Sequence, residues 1–155
     1  MKKVVITGRG VVSPLGNGVA DNREALRAGR SGIVFSPEWR ELGMDSQVYG
    51  KADENLDCPL LDRKRKRFTS PNSVMAIAAV YEAITEAGLS LEDLRKYRVA
   101  VIGGCAGSNY IEVYEGTANF VLHHKVRKVS PFTVPRVMPS SAVANISLKI
   151  GRAHV

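Results

Sequence analysis

Two short apolar runs set the first limit on what this chain can fold into. Val4-Val5-Ile6 and Val99-Ala100-Val101-Ile102 are too short for buried helices, and glycines follow both: Gly8 and Gly10 after the first, Gly103, Gly104 and Gly107 after the second. Runs of this kind read as strands covered on both faces, the situation of a parallel sheet layered between helices. The segments between and after them carry helical signals. The expected order is strand, helix, helix, strand, helix, helix, which defines an α/β fold around a largely parallel central sheet. No internal repeat, low-complexity tract or domain linker interrupts it, and 155 residues suffice for one sizeable core.

The helix signals differ in kind. A helix is expected near residues 19–28 with Ala20, Ala25 and Leu26 on one side, and Gly29 is placed to end it in the left-handed conformation. Ser70 at an N-cap position and Pro71 at the first helical position open the clearest helix. Met75, Ala78, Ala79, Ile84 and Ala87 keep its period, Gly88 closes it, and its alanine density implies close packing against another element. Ser90-Leu91-Glu92-Asp93 resembles a capping box with Asp in place of Glu. Residues 111–124 and 142–148 read as helices. Residues 30–60 read as irregular, with a short strand around 46–51.

Net charge is +7, and it is unevenly placed. Residues 1–60 hold eight Lys/Arg against eight Asp/Glu, whereas residues 61–155 hold fourteen against seven. The surplus gathers in Arg63-Lys64-Arg65-Lys66-Arg67 and in His123-His124-Lys125-Val126-Arg127-Lys128, read as two basic loops. Such a field attracts an acidic partner without choosing among nucleic acid, an anionic membrane and an acidic protein. No recognition helix follows either cluster, which argues against helix-turn-helix binding of nucleic acid. No stretch approaches the roughly 18 apolar residues of a membrane span. The opening apolar run is too short for a signal peptide, and Cys58 and Cys105 have no framework spacing, so a cytoplasmic location is expected.

Candidate chemistry is sparse. Gly8-x-Gly10 is followed by no glycine until Gly16, which is not the G-x-G-x-x-G of a dinucleotide site, so a tight turn leaving the sheet is the better reading. Cys105, in its glycine-rich loop, has no histidine linked to it by spacing and reads as a packed thiol rather than a nucleophile. His123 and His124 with either cysteine lack zinc spacing, and no metal site is expected.

Longer stretches carry a resemblance. The opening Val4-Val5-Ile6-Thr7-Gly8-Arg9-Gly10-Val11-Val12-Ser13-Pro14-Leu15-Gly16-Asn17, then Arg27-Ala28-Gly29-Arg30-Ser31-Gly32-Ile33, then Leu61-Asp62-Arg63-Lys64 with Arg67-Phe68, then Ala83-Ile84-Thr85-Glu86-Ala87-Gly88-Leu89, resemble the beta-ketoacyl-acyl-carrier-protein synthases. Gly43-Met44 with Val48-Tyr49-Gly50 looks most like the type I enzymes.

The resemblance implies the N-terminal portion of a thiolase-like fold, layered α-β-α-β-α and truncated. It implies a decarboxylating condensation of acyl and malonyl carrier-protein thioesters in fatty-acid synthesis, without a cofactor, by a homodimer. The family's nucleophilic cysteine would follow residue 149 by about a dozen residues, with both histidines later, so no catalytic residue of this chain is assigned. Arg63, Lys64 and Arg67 align with positions that face the acidic helix of acyl-carrier protein, and Lys125, Arg127 and Lys128 fall in a second such patch. Gly107 and Met138 fall on segments lining the acyl pocket, Met138 reaching across the dimer. Two other readings stand beside this one: a non-catalytic carrier-protein-binding or chain-length-factor-like partner, and a nucleotide-binding domain using the Gly8–Gly10 turn. The closing Ile150-Gly151-Arg152-Ala153-His154-Val155 is what ATC-GGA-AGA-GCA-CAC-GTC encodes, a sequencing-library adapter read in one frame. Residues 1–149 are therefore expected to be the family domain and 150–155 a tail, adapter-derived or left by truncation.

Overall fold

The structure is a computed structural model that describes residues 3–53, 56, 58–107 and 109–150. In chain order it contains β1 (Val12–Ser13), β2 (Gly16–Asn17), α1 (Val19–Arg27), β3 (Ile33–Phe35), α2 (Pro37–Glu41), β4 (Val48–Gly50) and α3 (Arg63–Lys66). There follow α4 (Pro71–Glu86), α5 (Leu91–Lys96), α6 (Tyr110–His123), a 3-10 turn (Val126–Lys128), α7 (Thr133–Val137) and α8 (Ser141–Ile150).

α4 organises the rest. Its Ile77 is fully buried and Val74 nearly so, and they meet Leu56, Leu60, Leu61, Leu94, Ile146 and Ile150 in the main apolar cluster. α8 packs along α4, and α5 leans on α8. The alanine density has the consequence expected of it, because small side chains let backbone come close. Residues 8–10 cross the helix so tightly that a Cβ on Gly8 would lie 1.9 Å from the Ala83 carbonyl oxygen, and one on Gly10 would lie 1.8 Å from that of Ala79. The Gly8–Gly10 turn is thus occupied by helix α4, which removes the space a dinucleotide phosphate would need.

Helix ends follow local chemistry. Gly29 and Gly88 take positive φ just past α1 and α4. Ser90 and Asp93 form the complete capping box of α5. Ser70 occupies the N-cap of α4, but its hydroxyl bonds Ser73 Oγ at 2.9 Å and the Asn72 side chain, and it makes no cap bond to the backbone. α1 buries Asn22 and Ala25 and leaves Leu26 exposed, contrary to the apolar side read from sequence. The reason is polar: Asn22 Nδ2 donates to the Gly16 and Gly18 carbonyls at 2.8 Å each, stapling the β1–β2 turn onto the helix. Within the stretch read as irregular, Ser36 caps α2 by accepting from the Trp39 N–H at 3.2 Å.

The sheet differs most from expectation. Among the described residues the strands form two antiparallel ribbons, β1–β2 and β3–β4. The second contains the strand expected around 46–51. Residues 4–6 and 99–102 run without regular secondary structure, and no parallel sheet forms from them. A strand exists only through a neighbour that pairs with its N–H and C=O groups, and among the described residues neither run has a ladder partner. Val99 and Val101 still pack on the core, but Val4 and Ile102 are 96% and 93% exposed.

Of the expected tail, residues 151–155 lie outside the described residues, and Ile150 is buried in the main cluster.

Candidate functional site

Four consecutive cations, Arg63, Lys64, Arg65 and Lys66, make up α3, and like charges one turn apart disfavour a helix. Asp62 offsets that repulsion from the N-cap. Its Oδ1 accepts from the Arg65 N–H at 2.8 Å, and Oδ2 lies 3.5 Å from Arg65 Nε and 4.0 Å from Lys149 Nζ. The Arg65 N–H, followed by the nearby Lys149 and Arg65 charges, holds the Asp62 carboxyl below its usual range, so it stays ionised at the positive helix start. The first basic run is therefore a capped helical turn and not a loop. Arg63, Lys64 and Arg67 are all exposed, and among the described residues no carboxylate comes within ion-pair reach of their side chains.

The second basic cluster follows α6. His123 ends that helix, and His124 takes the left-handed conformation at φ 50°, its N–H bonding the Phe120 carbonyl at 2.7 Å. Lys125, Arg127 and Lys128 then lie on or beside the 3-10 turn, all exposed. The link between the clusters runs through α6 and α7. Gly116 of α6 faces Val129 and Thr133, and Arg136 of α7 reaches back to Arg67, just past α3.

That return contact is the best-defined polar arrangement in the region. Arg136 of α7 donates from Nε to the Arg67 carbonyl at 2.9 Å and from Nη1 to Glu112 Oε2 at 3.0 Å. Glu112 Oε1 accepts from the Thr133 hydroxyl at 3.0 Å. The Glu112 side chain is only 12% exposed, so both carboxylate oxygens are satisfied where water has little access. Beside it, the Phe68 and Phe132 rings meet edge-to-face with centroids 4.8 Å apart. Sequence reading missed Arg136 and Glu112. Glu112 follows Asn109 by three residues and reads as an ordinary first-turn acid, but Arg136 was detectable as the single charge between residues 130 and 140.

Met138, at the C-cap of α7, lines an apolar cavity of about 330 Å³ with Phe68, Pro135, Ala144 and Leu148, and Arg65 stands at its wall. Gly107 is elsewhere, in the loop before α6, where its carbonyl accepts from the Cys105 thiol at 2.7 Å and Tyr110 covers its Cα. Among the described residues Gly107 does not line the cavity that Met138 borders. Cys105 is exposed, not packed as expected, in a loop without regular secondary structure; Cys58 is the buried thiol. Among the described residues no cluster of three or more His, Cys, Asp or Glu could hold a metal ion, and no helix is long and apolar enough to cross a membrane.

The chain as a whole superposes on solved structures. A beta-ketoacyl synthase from Burkholderia phymatum superposes with a TM-score of 0.79 at 25% identity, covering 97% of this chain and 37% of that one. A type II polyketide ketosynthase solved with its acyl-carrier protein superposes at 0.67 and 17% identity, over 97% of this chain and 39% of that one. The fold is that of the thiolase-like ketosynthases.

The beta-ketoacyl synthase N-terminal domain matches residues 1–153, and the chain belongs to that family. The 3-oxoacyl-[acyl-carrier-protein] synthase 1 of Escherichia coli K12 is 38% identical over 146 residues, 93% of this chain and 36% of its own length. The 3-oxoacyl-[acyl-carrier-protein] synthase 2 of Coxiella burnetii is 32% identical over 148 residues, 96% of this chain and again 36% of its own. The chain thus spans about a third of the length of these relatives.

Proposed function

We propose that this chain is the N-terminal part of a 3-oxoacyl-acyl-carrier-protein synthase of fatty-acid synthesis. The whole enzyme takes an acyl group from a thioester onto a cysteine. It then joins that group to the two-carbon unit left when malonyl-acyl-carrier protein loses carbon dioxide. The observation that carries this reading is the family match over residues 1–153, supported by relatives that bear this activity in their names.

The exposed cations fit the same reading. Arg63, Lys64 and Arg67 on the capped turn, and Lys125, Arg127 and Lys128 on the second, supply exposed positive charge of the kind an acidic carrier protein favours. Met138 borders an apolar cavity, and Gly107 and Met138 are assigned to two segments that line the acyl pocket, Met138 from across the dimer. The cysteine and two histidines of the reaction are assigned beyond residue 149, and the working enzyme is a cytoplasmic homodimer.

Purified full-length protein should release carbon dioxide from malonyl-acyl-carrier protein and form a 3-oxoacyl product, while residues 1–155 alone should form none. Turnover by residues 1–155 that is lost on Cys105→Ala would overturn the placement of the nucleophile. Carrier-protein binding without condensation by the full-length protein would favour the non-catalytic partner instead.

A further inference from the structure

The basic turn and the apolar cavity share a wall. Arg65 and Phe68, at and just after α3, line the cavity on one side, and Pro135 and Met138, at the end of α7, line it on the other. The Phe68–Phe132 ring pair and the Arg136 side chain both bridge those sides. Arg136 grips the Arg67 carbonyl, the last residue of the basic run, and the same guanidinium is anchored by Glu112 on α6. Thr133, one turn earlier on α7, is held by the other oxygen of that carboxylate. A planar fork that serves two acceptors at once fixes distance and angle together, which an ammonium on a flexible stem does not. Met138 follows α7 directly, so whatever sets the position of α7 sets the position of that thioether.

We propose that Arg136 and Glu112 are positioning residues that fix the basic turn against α7, so that one clamp governs both carrier-protein docking and the length of acyl chain accepted beside Met138. This rests on the condensing-enzyme reading above. Neither side chain need touch carrier protein or acyl chain. Arg136 acts on docking through the Arg67 carbonyl, and on chain length through the two-residue step from Arg136 to Met138.

The test uses the full-length enzyme and acyl-carrier proteins loaded with acyl chains of graded length. In Arg136→Ala and Arg136→Lys, the KM for carrier protein should rise about tenfold, the effect of losing one charge-assisted bond in a sheltered site. The ratio of kcat/KM between long and short chains should change in the same variants. That ratio should also change when the same acyl groups are offered on pantetheine, where carrier docking plays no part. Thr133→Val, which keeps shape and removes only the hydroxyl donated to Glu112, should shift the ratio in the same direction by a smaller factor. If Arg136→Ala does not fold, Arg136→Lys and Thr133→Val decide the matter. Variants with lowered melting temperature but unchanged chain-length ratio and unchanged KM would show ordinary packing and overturn the proposal. An unmutated enzyme that condenses nothing would instead overturn the functional reading on which it rests.

Discussion

Glu82 and the two glycines beside it show how single side chains hold the N-terminal segment in place. Glu82 projects from α4 and accepts from the Val11 N–H at 3.0 Å and the Val19 N–H at 2.7 Å, so one carboxylate secures both the start of β1 and the first turn of α1. Four residues further along the same helix, Glu86 pairs with Arg9. Between these anchors, Gly8 and Gly10 lie directly on the helix backbone, and nothing flexible stands where a methyl group would go. Gly10→Ala should therefore force the segment away from α4 and stretch the Glu82 bonds. Overpacking of this kind costs about 1–3 kcal/mol. Chemical denaturation of the full-length protein should show the loss, and Gly29→Ala should fail to reproduce it through packing. Gly29 meets no neighbour, so only its positive φ of 64° would be strained there. A Gly10→Ala protein of unchanged midpoint would mean that the close crossing does not hold in solution.

At the scale of elements, local signals were legible and partnerships were not. α4, with Pro71 at its start and Gly88 after its end, was readable because its period, N-terminal proline and terminal glycine agree. The capping box of α5 was readable because Ser90 and Asp93 satisfy each other without outside help. Residues 4–6 and 99–102 have the composition of strands, yet composition cannot supply the neighbour that makes a strand. Leu26 was misassigned because the buried amide of Asn22, which outcompetes it for the interior, follows no apolar period. In the candidate site, Arg63, Lys64 and Arg67 were visible as a charge run, but the N-cap that turns the run into a helix became clear only with the Asp62 geometry. The Arg136–Glu112 pair joins residues 24 apart and left only the trace of a lone charge.

The same element carries a prediction about the partner. The side chains of Arg63, Lys64 and Arg67 are exposed, so each ion pair with an acidic carrier protein is screened and worth only about 0–1 kcal/mol. Single changes to Ala in the full-length enzyme should raise the KM for carrier protein severalfold at most. Changing all three to Glu replaces attraction by repulsion and should raise it far more, chiefly by slowing association. The melting temperature should hold, since none of the three side chains is packed. The effect should shrink toward 1 M salt, where the screening length falls to about 3 Å. If the triple variant keeps both the KM and its salt dependence, the basic turn is only a solvated face and the assignment of an acidic carrier protein to it fails.

For the molecule as a whole, the decisive feature is how much apolar surface the described residues leave uncovered. Val4, Val5 and Ile6 are exposed in a row, and Ile102 stands out beyond the core-facing Val99 and Val101. α6 adds Tyr110, Ile111, Tyr114, Val121 and Leu122, so a helix of fourteen residues leaves these large apolar side chains exposed and has no fully buried residue. Extended backbone without ladder partners and an apolar helix face both promote association with any similar surface. The enzyme proposed above is long enough to cover them, since this chain matches only 36% of the Escherichia coli relative. Residues 1–155 produced alone lack that cover. They should bind an apolar-surface dye strongly, elute as concentration-dependent oligomers in size-exclusion chromatography with light scattering, and melt over a broad range. The main cluster around Ile77 should keep helical circular dichroism in place through this, because α4, α5 and α8 pack on one another within the chain. The full-length protein should bind little dye and melt cooperatively. A sharp melt from a monomer of residues 1–155 that binds no dye would show that residues 4–6 and 99–102 find cover within this chain, and that the runs read from sequence as strands need no further partner.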